Sequence, residues 1–235
     1  MEVKTKGIVI RTIKYGEASA ICNILTEQFG LLGFHIPGVY KNKGKIKISY
    51  LQNLNILELS FNYKKTTNLH RIKDLHCDSH LHLINFSQQA FYHVVCELLQ
   101  QTIKEDEINS DLFEYLKDDA IPSMSSSIHF WQMPFVMLSI LHHHGCAPNC
   151  SNYSESSYLD LQNGVFLESL LPLKTIADIE SSATIYQILT KGISHLPNNQ
   201  TLRQKVIENL IVYYQWHISH NFDLKSRNVL IAMSQ

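Results

Sequence analysis

The chain has 235 residues, of which 45% are hydrophobic and 17% are charged, proportions that are ordinary for a globular protein. No segment approaches the roughly 20 apolar residues that cross a bilayer, and residues 1–6 lack the apolar segment of a signal peptide, so we expect a cytoplasmic protein. The net charge of −1 conceals two parts of opposite sign: residues 1–75 hold twelve Lys or Arg and five Asp or Glu, and the remainder holds eight and sixteen. The basic first part suits a polyanion and the acidic remainder does not.

The first 75 residues predict five short β-strands. Runs rich in β-branched and apolar residues occupy 6–13, 19–26, 31–39, 50–61 and 69–75, and turns that contain glycine separate several of them. No helical period lies between the runs. Five strands in about 70 residues fit an OB-fold barrel, and an SH3-like barrel is the alternative, because periodicity alone does not separate the two.

From about residue 78 the hydrophobic period becomes helical. The predicted helices span 81–103, 112–116 with a cap at Asn109–Asp111, 128–143 with a cap at Ser125–Ser127, 183–195, 201–219 and a short segment from about Lys225. Residues 145–172 are irregular and contain a predicted hairpin that turns at Asn163–Gly164. The fold class is therefore α+β: a five-stranded OB-fold domain at 1–77 precedes an all-helical domain at 78–235 with a small irregular hairpin insertion at 145–166.

The segment 40–47 carries four lysines between two predicted strands. It has too little apolar content to lie in a core, and its ammonium groups can displace counterions from a phosphate backbone without base-specific geometry. The alternative for this segment is a solvated loop. Tyr15, Phe34 and Tyr40 can stack on bases, and the alternative for these three rings is a position in the barrel core or at its rim. With the other cations of this half, the predicted nucleic-acid site comprises Lys6, Arg11, Lys14, Tyr15, Phe34, Tyr40, Lys41, Lys43, Lys45, Lys47, Lys64, Lys65 and Arg71.

The cysteines and histidines do not form a metal-binding pattern. Zinc usually takes four ligands from two close pairs. The chain has one such pair, Cys146 and Cys150, after the histidines at 142–144, and consecutive histidines on a helix point in different directions. We expect no metal and free thiols at all five cysteines.

Catalytic motifs are absent from the sequence. It contains no phosphate-binding loop, no Gly-x-Ser-x-Gly and no His-Glu-x-x-His, and the acids at 105–107 lie in a polar break between helices. We expect no enzymatic activity, no cofactor and no small-molecule substrate. A nuclease lacks a convincing carboxylate cluster.

Several segments resemble the bacterial recombination mediator family RecO. They are Lys-Thr-Lys-Gly-Ile-Val-Ile-Arg-Thr-Ile-Lys-Tyr-Gly-Glu at 4–17, Leu-Thr-Glu-Gln-Phe-Gly-Leu at 25–31, Pro-Gly-Val-Tyr-Lys at 37–41, Leu-Gln-Asn-Leu-Asn-Ile-Leu-Glu-Leu at 51–59, Tyr-Tyr-Gln-Trp-His-Ile at 213–218 and Phe-Asp-Leu-Lys-Ser-Arg-Asn-Val-Leu at 222–230. The resemblance implies an N-terminal OB-fold and a helical domain. It also implies binding of single- and double-stranded DNA, annealing of complementary strands, partnership with RecR and the single-strand-binding protein SSB, and loading of RecA onto SSB-coated strands at the nucleoid.

One departure from the family concerns zinc. Many members carry a four-cysteine zinc ribbon where this chain has residues 145–166, and here Cys146 and Cys150 remain at a different spacing. The sequence resembles the zinc-free branch, with packing by Tyr153, Tyr158, Leu161 and Phe166 in place of a metal.

Two hypotheses about partners stay open. The acidic, Phe-ending tail of SSB needs an apolar groove with a nearby cation, and Lys225 and Arg227 are candidates for that cation, with capping of a helix end as the alternative. The barrel can also belong to an interaction scaffold that binds only protein partners, in which case its basic loop meets an acidic protein.

Overall fold

The computed structural model of the chain describes residues 1–41, 44–79, 86–104, 107–126, 128–168 and 175–226. The chain divides into two compact units, Met1–Ser126 and Ser127–Gln235. The first unit contains the strands of the predicted barrel and also three helices, and the domain of residues 1–77 stays a prediction. Within the described ranges, no helix is long and apolar enough to cross a membrane.

Five strands of the first unit close into a barrel. They are β1 (Glu2–Tyr15), β2 (Ser19–Thr26), β3 (Gly30–Ile36), β4 (Ile56–Asn62) and β5 (Leu69–Ser79). Their order around the barrel is β1-β2-β3-β5-β4, with β3 and β5 parallel and the other neighbours antiparallel. This five-stranded barrel confirms the predicted OB-like fold class. A 3-10 turn at Ile48–Leu51 precedes β4, where the sequence pattern predicts one longer strand.

Side chains fill the interior of the barrel. Alternate residues of the strands point inward and form one buried cluster, in which the rings of Phe34 and Phe61 meet edge to face at 5.0 Å. Burial of each large apolar side chain contributes about 1.5–3 kcal/mol to folding. Since the interior is filled, a ligand of the barrel can bind only at its outer surface or its loops.

A β-bulge in β1 changes which of its residues face outward. Val9 and Arg11 pair with consecutive residues of β2, Ile24 and Asn23, so Ile10 is one extra residue in β1. The bulge shifts the alternation of inward and outward side chains by one position. The outward-facing residues of the second half of β1 are Arg11, Ile13 and Tyr15.

Three helices complete the described part of the first unit. They are α1 (Phe86–Thr102), α2 (Ser110–Tyr115) and α3 (Ile121–Ser126), with a π-helical segment at Leu116–Ala120 between the last two. Helix α1 packs on β1, where the thiol of Cys96 lies 3.9 Å from the carbonyl oxygen of Val9. The predicted cap of α2 is confirmed, because the Asn109 side chain accepts a hydrogen bond from the Leu112 amide at 2.9 Å. Part of the predicted start of α1, residues 80–85, lies outside the described ranges.

Within residues 128–168 and 175–226, the second unit contains three long helices and a small hairpin. They are α4 (Gln132–His143), β6 (Tyr158–Asp160), β7 (Val165–Leu167), α5 (Ile179–Lys191) and α6 (Gln200–His217). The antiparallel pairing of β6 and β7 around a turn that contains Asn163 and Gly164 confirms the predicted hairpin. Most of the predicted helix from Lys225 onward falls on residues 227–235, outside the described ranges.

The predicted serine cap of α4 is wrong. Ser125 belongs to α3, and the N-cap of α4 is Trp131. Pro134 explains the later start, because its ring would clash with the carbonyl group of residue 130 if the helix began earlier.

Aromatic and hydrogen-bond contacts hold the hairpin segment in the second unit. Tyr153 stacks on Tyr186 of α5 with 3.6 Å between ring centroids and meets Phe166 edge to face at 5.2 Å. On α6, the Tyr213 hydroxyl donates a hydrogen bond of 2.9 Å to the carbonyl oxygen of Cys146. The predicted aromatic packing of this segment therefore includes partners on two helices.

Candidate nucleic-acid interface

Two rows of paired residues cross the outer surface of β1, β2, β3 and β5. Directly paired residues of neighbouring strands project from the same side of a sheet. One row is Ile13, Ile21, His35 and Arg71, and the other is Arg11, Asn23, Gly33 and Leu69. We call these two rows, together with Tyr15 at the end of β1, the cationic face.

Positive charge on the cationic face is not balanced by acids. Arg11 and Arg71 are exposed, and within the described residues neither forms an ion pair. Strands β2 and β3 contain no Asp or Glu, and an acid, Glu17, lies in the turn after β1. This face therefore has a net positive potential that favours a polyanion.

Apolar side chains lie between these cations. Ile13 is 42% exposed, Leu69 is 43% exposed and Tyr15 is 57% exposed. The Tyr15 ring meets His35 edge to face at 5.8 Å, which leaves ring surface open to solvent. An exposed aromatic ring beside cations is the arrangement that stacks unpaired bases and neutralises their phosphates.

Another part of the barrel surface carries compensated charge. We call it the paired face; its ion pairs are Lys4 with Glu58 at 3.4 Å, Lys45 with Asp74 at 3.5 Å, and Lys73 with Glu2 at 2.7 Å. Of the predicted site, Lys45 lies here, and Lys6 lies opposite Glu58 in the β1–β4 register. These exposed pairs contribute little stability, but they cancel the local potential, so phosphates are attracted less to this face.

The lysine-rich segment 40–47 lies between the 3-10 turn and β3. Tyr40 is partly exposed, and the Lys14 ammonium lies 5.5 Å from the centre of its ring, within range of a cation–π interaction. Lys41 and Lys47 are exposed and form no ion pair with described residues. Lys43 lies outside the described ranges.

The prediction that Phe34 offers a stacking surface is wrong. Its ring is fully buried in the barrel core, between Phe61 and His70. The inward position follows from its pairing with Cys22, another core residue. Phe34 therefore supports the barrel and does not contact a ligand.

Lys64 and Lys65 lie in the loop between β4 and β5 and line a polar pocket next to β3. Both are exposed. The pocket also includes His70, which the sequence pattern does not single out. Ile13, His35 and Leu69 were missed as well, because their outward position depends on the bulge and on the β3–β5 pairing.

The predicted site residues of the second unit are described only in part. Lys225 is exposed and follows α6, whereas Arg227 lies outside the described ranges. Cys146 and Cys150 are partly exposed, and burial raises the pKa of both thiols. Within the residues that the structure describes, no group of three or more His, Cys, Asp or Glu side chains has a metal-binding arrangement.

Comparison with known proteins connects this barrel to a family. A family model described as the N-terminal region of recombination protein O matches residues 1–79, which include all five strands. Similar proteins named DNA repair protein RecO include that of Flavobacterium psychrophilum, 28% identical over 98% of both chains, that of Bacteroides fragilis, 27% identical over 97% of both, and that of Azobacteroides pseudotrichonymphae, 23% identical over 98% of both. The similarity runs through both units, and the family model coincides with the barrel. Over nearly its whole length, the chain is therefore similar to proteins named DNA repair protein RecO.

Proposed function

We propose that this protein is a recombination mediator that binds DNA on the cationic face of its barrel. Similarity to proteins named DNA repair protein RecO supports a role in DNA repair. The observation that carries the proposal is the shared outward position of Arg11, Arg71 and Tyr15 on a surface whose central strands, β2 and β3, carry no acid. The arginines bind phosphates and the tyrosine ring stacks on a base, so single strands are bound without sequence preference.

Strand annealing follows from the same electrostatics. Two DNA strands repel each other because both are polyanions, and a surface that neutralises phosphates of both lowers that repulsion. The exposed Lys41 and Lys47 extend the positive surface beyond the strands, which gives room for a second strand or a duplex. No bond is made or broken in annealing, so the protein acts without catalytic residues or a cofactor.

The wider role includes protein partners. We propose that the chain acts with RecR to load RecA onto SSB-coated DNA, and that the region after α6, with Lys225, contributes to the binding of the SSB tail. The family resemblance supports these partners. Isothermal titration with a tail peptide tests the SSB contact: a Lys225→Ala/Arg227→Ala variant should bind more weakly than the wild type, and equal affinities would exclude these two residues from the contact.

DNA binding on the cationic face is tested by two double variants with the same charge change. Arg11→Ala/Arg71→Ala removes two cations from the cationic face, and Lys4→Ala/Lys73→Ala removes two from the paired face. Exposed ion pairs of up to about 1 kcal/mol each predict an increase in Kd of up to about thirtyfold for the arginine variant. Its salt dependence should also flatten by about 0.7 in the log–log slope for each lost phosphate contact on a single strand.

Lys4→Ala/Lys73→Ala is the control and should bind DNA nearly as tightly as the wild type does. Fluorescence anisotropy with a labelled oligonucleotide at several salt concentrations measures both quantities, and annealing of SSB-coated complementary strands measures the activity. Equal binding by the two variants would show that the cationic face is not the site. Absence of any DNA binding by the wild type would instead favour a scaffold that contacts only proteins.

A further inference from the structure

A polar pocket opens between the β4–β5 loop and β3. Its volume is about 230 Å³, and its polar lining includes Tyr63, Lys64, Lys65, Thr67, Asn68 and His70. The lining residues, all of them described, include no Asp or Glu, and neither lysine forms an ion pair with a described residue. The pocket therefore presents uncompensated positive charge. We call it the loop pocket.

His70 adds a second, independent feature to the loop pocket. It is only 3% exposed, and its ring is fixed by Phe61, edge to face at 5.3 Å, and by Tyr63, parallel at 5.7 Å. The Lys64 amide donates a long hydrogen bond of 3.5 Å to Nε2 of His70. Because Nε2 accepts this hydrogen bond, the neutral ring carries its proton on Nδ1.

The Nδ1–H group of His70 is a buried donor without an acceptor among the described residues. Nearly all buried donors in folded proteins are paired, and His70 is one of the residues that line the loop pocket, so a ligand in the pocket can supply the acceptor. The ammonium groups of Lys64 and Lys65 require that this ligand be negatively charged. A phosphate group meets both requirements, because it offers several acceptor oxygens and a negative charge.

We propose that the loop pocket binds one phosphate group of a DNA strand, with Nδ1–H of His70 donating to a phosphate oxygen and with Lys64 and Lys65 balancing the charge. The site rests on the DNA binding proposed above and adds to it a discrete position beside the cationic face. Its phosphate comes either from the 5′ end of a strand or from an internal linkage.

Binding of two single-stranded oligonucleotides of the same sequence tests the site. One carries a 5′-phosphate and the other a 5′-hydroxyl, and fluorescence anisotropy gives Kd for each with the full-length wild type and three variants. Lys64→Ala/Lys65→Ala removes the charge, His70→Phe removes the donor but keeps an aromatic ring in the core, and Lys4→Ala/Lys73→Ala is the control with the same loss of charge.

Both loop-pocket variants should bind severalfold more weakly than the wild type and the control. Lys64→Ala/Lys65→Ala should also flatten the salt dependence of binding, by about 0.7 in the log–log slope for one phosphate contact on a single strand. His70→Phe should leave this slope unchanged because it removes a neutral donor. A terminal phosphate predicts that the loss is confined to the 5′-phosphorylated strand. An internal phosphate predicts equal losses for both strands.

Two results would overturn the loop-pocket site. If DNA binds the wild type and the loop-pocket lysine variant binds both strands as tightly as the control does, the loop pocket holds no phosphate, and the DNA proposal stands without it. If the wild type binds neither strand, both proposals fall. Because Lys64 and Lys65 are exposed, their variant distinguishes these outcomes even if His70→Phe does not fold, which circular dichroism will show.

Discussion

Gly145 and Gly164 provide a matched pair of substitutions that measures how the hairpin segment is held. Both have a φ of +70°, so alanine at either position adopts the same left-handed backbone at a cost of about 1–2 kcal/mol. A Cβ atom at Gly145 would meet nothing within 4 Å, whereas one at Gly164 would lie 2.6 Å from Oη of Tyr213. The two substitutions therefore differ in one contact.

The magnitude of that contact follows from what Tyr213 does. Its side chain is buried, and its hydroxyl donates the 2.9 Å hydrogen bond to the carbonyl oxygen of Cys146. Displacing the hydroxyl leaves a buried polar group unpaired, which costs about 1–3 kcal/mol. We expect Gly145→Ala to lower the free energy of unfolding by about 1–2 kcal/mol and Gly164→Ala to lower it by about 2–5 kcal/mol.

Thermal unfolding followed by circular dichroism measures this difference. At about 2–4 °C for each kcal/mol in a chain of this size, Gly164→Ala should melt roughly 2–12 °C below Gly145→Ala. In a Tyr213→Phe background the next atoms around the new Cβ lie at 3.5 Å, an ordinary contact, so the cost of Gly164→Ala should fall to that of Gly145→Ala. Equal melting temperatures of the two single variants in the wild-type background would refute this account of the contact.

Three other predictions concern single polar side chains. Burial raises the pKa of Cys22 from 9.0 to about 12, so the folded state keeps a proton that the unfolded state releases. The free energy of unfolding should therefore fall as the pH rises from about 9 towards 12. Cys22→Ala should flatten this part of the curve of unfolding free energy against pH, and an unchanged curve would contradict the prediction. Burial tends to raise the pKa of Asp178, but hydrogen bonds from Ser181 and the charge of Lys205 outweigh it and lower the pKa below 3.8. Asp178→Ala should therefore cost about 1 kcal/mol at pH 7 and progressively less in acid, since the stabilisation is lost as the pH falls through the lowered pKa; a loss independent of pH would argue against the carboxylate. Arg203 is buried, and its Nε and Nη2 have no partner among the described residues. Arg203→Met should therefore change the free energy of unfolding by less than about 1 kcal/mol, whereas Arg203→Ala should lower it by about 2–4 kcal/mol. Urea unfolding measures both values, and equal losses would contradict the prediction.

The strands and most helices could be predicted because local patterns specify them. The bounds Ser19–Thr26 of β2 match the predicted segment, and Asn109 caps α2 as predicted. Local patterns could not predict the pairing of β3 with β5, because Gly33 and Leu69 are far apart in the sequence and no local pattern joins them. It is this parallel pairing that closes the barrel, and only the family resemblance implied it.

The candidate site was predicted in charge but not in geometry. The excess of cations in the first 75 residues is a property of the composition, and it counts Lys73 and Arg71 alike. In the structure Lys73 pairs with Glu2 at 2.7 Å, whereas Arg71 pairs with no described acid. Phe34 was included because an aromatic residue beside basic ones suits base stacking, yet its position in the β2–β3 register places it in the core.

The bulge at Ile10 connects the core of the barrel to its charge. In a regular strand Arg11 would continue the inward series of Val3 and Val9, and a guanidinium would enter a cluster of apolar side chains. Burial of an unpaired charge there is far more costly than one unpaired backbone position, so this sequence favours the bulge over a regular strand. The same extra residue turns Ile13 and Tyr15 to the surface. The positive charge that composition counts as one sum is thus divided by the backbone: Lys4 on β1 pairs with Glu58, whereas the bulge directs Arg11, which pairs with no described acid, toward solvent, where phosphates can reach it.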